Sequence, residues 1–274
     1  MRTYALLIIV MAAPLLVAAV WSLIRYQRRQ DFIEQPFPLQ WDTLLREKFP
    51  IYGALPDPIR FKLKRMIRIF IAKTHFEACG GLDLVTDEMR VLIAAQACLL
   101  VVNHDQKLYP KLKTILIYPS TYKTNHSDSL FHFMEEESEA RLGESWSTGT
   151  VVLAWDSVEH GAYDTKDGHN LVMHEFAHQL DQLDGTADGA PDLGEHSRYI
   201  SWARVLGQEY EDLEERLFQG KDSVFDAYGA TDPAEFFAVV TETFFEKPKQ
   251  MKKRHPELYD QFRNFYKLDP LEWS

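Results

Sequence analysis

The segment Leu171–Leu180 places two histidines and a glutamate in a stretch that is otherwise largely apolar. His174 and His178 are four residues apart, so on a helix both imidazoles project from one face, about one turn apart. Apolar neighbours on nearly every side predict that this helix is buried. Because buried imidazoles and carboxylates are costly without a partner, a buried helix with a paired ligand set constrains this chain more than any other feature.

The spacing of the two histidines is typical of a zinc site. Imidazole nitrogens bind zinc at about 2.0–2.1 Å, and residues i and i+4 of a helix can reach one ion. Glu175 lies beside that ion, where a carboxylate can take a proton from an attacking water and pass it to a leaving amine. The pattern predicts one Zn²⁺ per chain, bound by His174 and His178, with Glu175 as general base. The same ligands also fit a zinc hydrolase that acts on non-peptide amides.

A hydrolytic zinc site needs a third protein ligand and leaves one position for water. Several residues beyond His178 are candidates: Asp181, Asp184, His196, Glu235 and Glu242. Glu235 and Glu242 are seven residues apart and share a face of one predicted helix, so spacing does not separate them. The run Asp232-Pro233-Ala234-Glu235 also fits a helix start that needs no metal. Asp181 fits two further roles equally, orienting an imidazole or closing a turn.

Segments with strand character precede long helical segments in this chain. Thr114–Tyr118 and Trp146–Trp155 are rich in β-branched and aromatic residues and predict strands. An apolar helix is predicted after Thr86, a good N-cap residue. Residues 199–218 and 233–246 also predict helices, the second after an Asp-Pro start signal. This order predicts an α+β fold with a small sheet and C-terminal helices.

The first residues predict a membrane anchor. Tyr4–Ile24 carries no charge, and 21 helical residues span about 32 Å, close to the bilayer's hydrocarbon thickness of about 30 Å. Arg2 precedes the segment and three arginines follow it within five residues, which favours a cytoplasmic main domain. A cleaved signal peptide is the poorer fit because Trp21 and Arg25 suit no cleavage site. We therefore predict a single-pass anchor, residues 1–30, and a catalytic domain, residues 31–274.

Composition excludes some classes of function. The formal net charge is −11, which argues against direct nucleic-acid binding, since phosphate contacts need a basic face. The two cysteines cannot build a disulfide framework.

Two longer blocks, His169–Asp184 and Asp226–Phe245, resemble the Mlc titration factor A family of metallopeptidases. The likeness extends over most of the chain after the predicted anchor, and the family in turn is similar to gluzincin-type peptidases. The resemblance implies a zincin-like domain with Glu235 as the third zinc ligand. It also implies that Tyr228 is an active-site tyrosine that donates a hydrogen bond to the oxyanion.

The resemblance further implies a zinc-dependent peptidase, aminopeptidase-like on small peptides. An alternative from another class is a regulatory protein that sequesters a glucose-responsive transcriptional repressor, with peptidase activity secondary. The predicted anchor departs from the cytosolic members of that family. The expected location is therefore a bacterial inner membrane, with the catalytic domain in the cytoplasm.

Overall fold

The computed structural model describes residues 2–104, 108–120, 149–183 and 185–274, with side chains from Val17 onward. The chain divides into two compact units, Met1–Phe37 and Pro38–Ser274. The first unit consists of one helix, α1, Arg2–Glu34.

Within the described residues, no helix is long and apolar enough to cross a membrane. Most of the span predicted at Tyr4–Ile24 falls within residues 1–16, whose side chains the structure does not describe. From Arg25 onward, α1 carries charged residues at short intervals. The transmembrane helix is therefore not supported, and the anchor and its boundary after residue 30 stay predictions.

The described part of the second unit is mostly helical. Its helices are α2 (Leu39–Lys48), α3 (Pro50–Ala54), α4 (Asp57–Lys73), α5 (Asp87–Leu100), α6 (Trp155–Tyr163), α7 (Leu171–Asp181), α8 (His196–Phe218), α9 (Pro233–Glu246), α10 (Pro248–Arg254) and α11 (Pro256–Tyr266). Two short 3₁₀ helices cover Ala227–Ala230 and Pro270–Glu272. The α+β class predicted from the sequence is confirmed.

Three parallel strands form the described sheet, in the order β1, β2, β3: His75–Ala78, Thr114–Tyr118 and Thr150–Ala154. Thr114 pairs with His75 on one side and with Thr150 on the other. The strand predicted at Thr114–Tyr118 is confirmed with its bounds. The strand predicted at Trp146–Trp155 is shorter because α6 begins at Trp155, and residues 146–148 lie outside the described part of the chain.

Helix α5 lies at the centre of the unit and packs against α2, α4, α6 and α7. It is buried from Val91 to Leu100, which agrees with its apolar sequence. Thr86 caps it as predicted, since its Oγ1 accepts a hydrogen bond from the Met89 amide at 3.2 Å.

Helix α9 also lies in the core and packs on α7, α10 and α11. The Phe237 ring lies 5.6 Å from Phe262, and the Phe244 ring stacks on Tyr266 at 5.7 Å. Full burial of a phenylalanine side chain contributes about 1.5–3 kcal/mol. This aromatic packing fixes α9 against α11, and the candidate site lies on the side of α9 that packs on α7.

Candidate metal centre

Helix α7 is fixed at its start and along one face. Asn170 is its N-cap, and its Oδ1 accepts from the Met173 amide at 2.9 Å. Phe176 is fully buried, with its ring 5.7 Å from Phe70 and 4.7 Å from Tyr109. This aromatic contact turns the other face of the helix, which carries the two histidines, toward α9.

The structure brings His174, His178 and Glu235 together. The Nε2 atoms of the two histidines are 3.1 Å apart. The Glu235 carboxylate lies 2.9 Å from Nε2 of His174 and 3.3 Å from Nε2 of His178. Both histidines are only 2 % exposed, and the Glu235 side chain is 12 % exposed. Three potential ligand atoms therefore converge in a nearly closed site between α7 and α9.

Glu242 contacts the opposite edge of the His174 ring. Its Oε1 lies 2.9 Å from Nδ1 of His174, and a carboxylate can only accept, so Nδ1 is the donor. In the neutral imidazole this leaves Nε2 with a bare lone pair on the side of Glu235. Glu235 and Glu242 share a face of α9, yet they contact opposite sides of one imidazole.

The donor set fits a zinc ion. With Nδ1 of His174 as a donor to Glu242, its Nε2 is the nitrogen that faces Glu235 and Nε2 of His178. Buried nitrogen and carboxylate groups this close together need a proton or a metal cation between them. Two atoms at about 2.0–2.1 Å from one tetrahedral ion lie about 3.3 Å apart. The two nitrogens are 3.1 Å apart, and Glu235 lies 2.9 Å from His174 through Oε2 and 3.3 Å from His178 through Oε1, which are close to that value. Two nitrogens and one carboxylate oxygen also suit zinc and leave a fourth position open.

The charges in the site shift the pKa values of its members. Burial alone would lower the pKa of His174, but the Glu235 and Glu242 carboxylates outweigh it and raise that pKa well above its ordinary value. Burial opposes ionisation of Glu235, yet its hydrogen bonds with both histidines hold its pKa below the ordinary range. Glu235 and His174 thus stabilise each other's charged forms. A metal bound at Nε2 of His174 would displace the proton there, so metal binding and protonation compete at this nitrogen.

Glu175 lies on α7 between the two histidines and is partly exposed. Burial raises the pKa of its carboxyl, while the charges of His174 and His178 oppose that rise. A partly exposed carboxyl with a raised pKa beside the ligand cluster is suited to accept a proton and return it.

Tyr228 belongs to the 3₁₀ helix Ala227–Ala230 and lies near His174, a candidate ligand. Its ring lies 6.0 Å from the His174 ring, and its side chain is partly exposed. Asp226 caps the turn by accepting from the Tyr228 amide at 2.8 Å. The phenol is thereby placed at the rim of the cluster.

The other candidate third ligands lie elsewhere or have other roles. His196 begins α8 and is exposed, outside the cluster of potential ligands. Asp181 is buried and accepts from the Gly189 amide at 3.0 Å, so it holds the loop after α7. Asp184 lies outside the described residues.

The loop after α7 presses on the start of α9. Gly189 has φ +75°, and a Cβ there would lie 2.3 Å from the Pro233 carbonyl oxygen. Its own carbonyl accepts from Nε1 of Trp202 at 2.9 Å. Since Pro233 is two residues before Glu235, this close approach helps set the position of the carboxylate.

Gly189→Ala is expected to destabilise the fold by about 2–4 kcal/mol, because strain at positive φ adds to a backbone clash. Zinc affinity should fall as well, since the start of α9 must move. Gly194→Ala is the matched control: it has the same φ of +75° but nothing within 4 Å of a Cβ. Urea unfolding measures the free energy of unfolding of both variants. The loss in Gly194→Ala reports the strain at positive φ, and the additional loss in Gly189→Ala reports the clash with Pro233. Equal losses would contradict the role of the Gly189–Pro233 contact.

Two residues of the site's surroundings were missed in the sequence. Asn170 was visible as a cap residue before an apolar helix, and Glu246 as the residue four after Glu242 on the same helix face. Both are buried. Neither signal shows that they lie behind the two histidines of the cluster, because that depends on how α6, α7 and α9 pack.

Comparisons with known proteins agree with this geometry. Residues 23–267 match the family described as glucose-regulated metallo-peptidase M90. Mlc titration factor A of Serratia proteamaculans is 34% identical over 85% of this chain and 88% of its own length. The same protein of Cronobacter sakazakii is 31% identical over 85% of this chain and 88% of its own length. An uncharacterised protein of Synechocystis sp. is 39% identical over 93% of this chain and 94% of its own length. The chain therefore belongs to the glucose-regulated metallo-peptidase M90 family, together with Mlc titration factor A, and is a metallopeptidase.

Proposed function

We propose that this metallopeptidase hydrolyses small peptides with zinc held by His174, His178 and Glu235. The observation that carries the proposal is the convergence of two imidazole nitrogens and one carboxylate oxygen in a buried site. Zinc bound there would supply a Lewis acid for the water and for the scissile carbonyl.

The protein's own residues then have distinct tasks. Glu242 keeps the proton on Nδ1 of His174, so that Nε2 faces the cluster. Glu175 takes a proton from the attacking water and returns it to the leaving amine, a task supported by its accessibility and raised pKa. The phenol of Tyr228 donates a hydrogen bond to the carbonyl oxygen as negative charge develops there.

We propose that the enzyme is an aminopeptidase, because an exposed carboxylate, that of Asp226, is available to bind the substrate's N-terminus. Asp226 is 40 % exposed, two residues before Tyr228, and its Oδ2 lies 3.7 Å from Nε2 of His169. An exposed carboxylate so near Tyr228 in the chain is the group that would bind a substrate's free α-amino group. Blocking the substrate's N-terminus removes the positive charge of the α-amino group, so a blocked peptide should be hydrolysed more slowly than a free one.

Removal of zinc is the test of the proposed function. The purified chain should contain about one zinc, and a chelator should lower hydrolysis of an amino-acid p-nitroanilide at least about 100-fold, with recovery when zinc is restored. The N-acetylated substrate should be cleaved far more slowly. Activity that survives complete removal of metal would contradict the zinc mechanism. Equal rates on both substrates would contradict only the aminopeptidase assignment.

Tyr228→Phe is expected to lower kcat about 100-fold with little change in KM, because an oxyanion donor acts mainly in the transition state. Tyr210→Phe is the matched control, since the Tyr210 hydroxyl donates to the Ala230 carbonyl of the same 3₁₀ helix at 3.0 Å. A similar kcat loss in both variants would indicate that the tyrosines only support the fold.

A second function, binding of a transcriptional repressor, is suggested by the name of the relatives, Mlc titration factor A. Their likeness covers 85% of this chain, so a shared binding surface is compatible with the comparison. Titration of a purified Mlc-type repressor against this protein, by calorimetry, tests it. Absence of heat at micromolar concentrations would leave the peptidase as the sole proposal.

A further inference from the structure

Asn170 uses its polar groups to join three helices behind the metal-facing histidines. Its Nδ2 donates to the Gly161 carbonyl of α6 at 2.8 Å and to Oε1 of Glu246 in α9 at 3.1 Å. Its Oδ1 caps α7, as described above. Asn170 is fully buried, so each of these bonds is made away from water.

Asn170 also shares a carboxylate with the metal-facing histidine. Its backbone amide donates a hydrogen bond to Oε2 of Glu242, and Oε1 of the same carboxylate accepts a hydrogen bond from Nδ1 of His174. Glu242 thus spans the first turn of α7, from the cap residue to the ligand four residues later. The orientation of the His174 ring depends on where Asn170 lies relative to α9.

Glu246 fixes Asn170 from behind. Its Oε1 accepts from Asn170, and its Oε2 accepts from the Gly168 amide at 2.9 Å. Glu246 therefore holds both the Asn170 side chain and the loop that leads into α7. Glu246 is 5 % exposed, and burial raises its pKa to about 9. The group is therefore neutral at pH 7, and its influence on the site comes from hydrogen bonds and not from charge.

Room for this arrangement depends on Gly161. A Cβ at that position would lie 3.0 Å from both Cα and Cγ of Asn170. Helix α6 thus comes close enough for its carbonyl to accept from the Asn170 amide group.

We propose that Asn170 and Glu246 are positioning residues of the metal centre, which together hold Glu242 and through it the ring of His174. The inference rests on the proposed metal site and extends it by two residues whose side chains hydrogen-bond to neighbouring helices and to each other, and not to the rings of the candidate ligands. A side chain that only stabilises the fold would leave the coordination of a bound metal unchanged.

The test is a double-mutant cycle at pH 7 with Asn170→Ser and Glu246→Leu in the full chain. Serine still caps a helix but lacks the amide donor, and leucine removes both acceptors without removing a charge. Each variant should bind zinc about 10-fold more weakly and change the visible spectrum of bound Co²⁺. Because the two act as a unit, the double variant should bind zinc within about 3-fold of the weaker single variant.

The outcomes separate clearly. Folded single variants with wild-type zinc affinity and an unchanged Co²⁺ spectrum would overturn the inference, and so would a double variant whose losses multiply to about 100-fold. If Glu246→Leu does not fold, Glu246→Gln takes its place, since it keeps the neutral charge and one acceptor. A wild-type chain that binds no zinc would instead refute the proposed function itself.

Discussion

Glu175→Gln is expected to lower kcat/KM for peptide hydrolysis by about 10²–10⁴-fold, the usual contribution of a general base. Glutamine keeps the size of the side chain and its position on α7 but cannot accept the proton. Zinc content and the free energy of unfolding should stay near those of the wild type, since Glu175 is partly exposed and lies outside the ligand cluster.

The measurement combines steady-state kinetics, metal analysis and urea unfolding of the same preparations. Glu214→Gln, an exposed position on α8, controls for the loss of one negative charge and should leave all three unchanged. Activity of Glu175→Gln within about 10-fold of wild type would exclude Glu175 as general base. The variant also separates the two functions, because repressor binding should survive it.

Glu235→Gln should weaken zinc binding by roughly 10²–10³-fold. Four-ligand structural zinc sites bind with about 10–16 kcal/mol, so one ligand is worth roughly 3–4 kcal/mol, and each 1.4 kcal/mol changes Kd tenfold. Hydrolysis should disappear at zinc concentrations that saturate the wild type. Glu235 contacts both His174 and His178. Loss of its negative charge therefore weakens the binding of a cation by both imidazoles.

Glu242→Gln is the matched comparison, seven residues along the same helix. Glu242 accepts from both His174 and Asn170, and glutamine offers only one acceptor for these two donors. The expected loss is about 10-fold in zinc affinity, at the low end of the range for groups that orient a ligand. Competition with a chromophoric chelator measures both variants. A larger loss for Glu242→Gln would make Glu242 the ligand and Glu235 the supporting residue.

Local patterns in the sequence predicted several elements because short-range rules decide them. Thr86 and Asp232 are N-caps, with side chains that accept from Met89 and Glu235. The strand Thr114–Tyr118 and the helix Pro233–Glu246 have the predicted bounds. Caps, β-branched runs and Asp-Pro starts act within one or two turns of chain. The strand at Trp146–Trp155 was predicted too long, because nothing local marks the change to helix at Trp155.

Other features depend on contacts between distant segments. Asp181 fits an imidazole contact and a turn equally well by spacing, and the structure shows its bond to the Gly189 amide. Asn170 looks like an ordinary cap in the sequence, yet it also joins α6 and α9. Such second roles have no local signal, since they arise where three helices meet.

By itself, the sequence determined that His174 and His178 share one face of a buried helix, because a spacing of four residues has this consequence in any helix. It also placed Glu235 and Glu242 on one face of α9, but their spacing could not tell which one meets the histidines, and Glu235 was favoured only by the family resemblance. Only the packing of α9 against α7 decided this: it places Glu235 at Nε2 of both rings and Glu242 at Nδ1 of His174. The physical reason is that helical periodicity fixes which residues share a face, whereas the axial offset between two helices fixes what each residue touches.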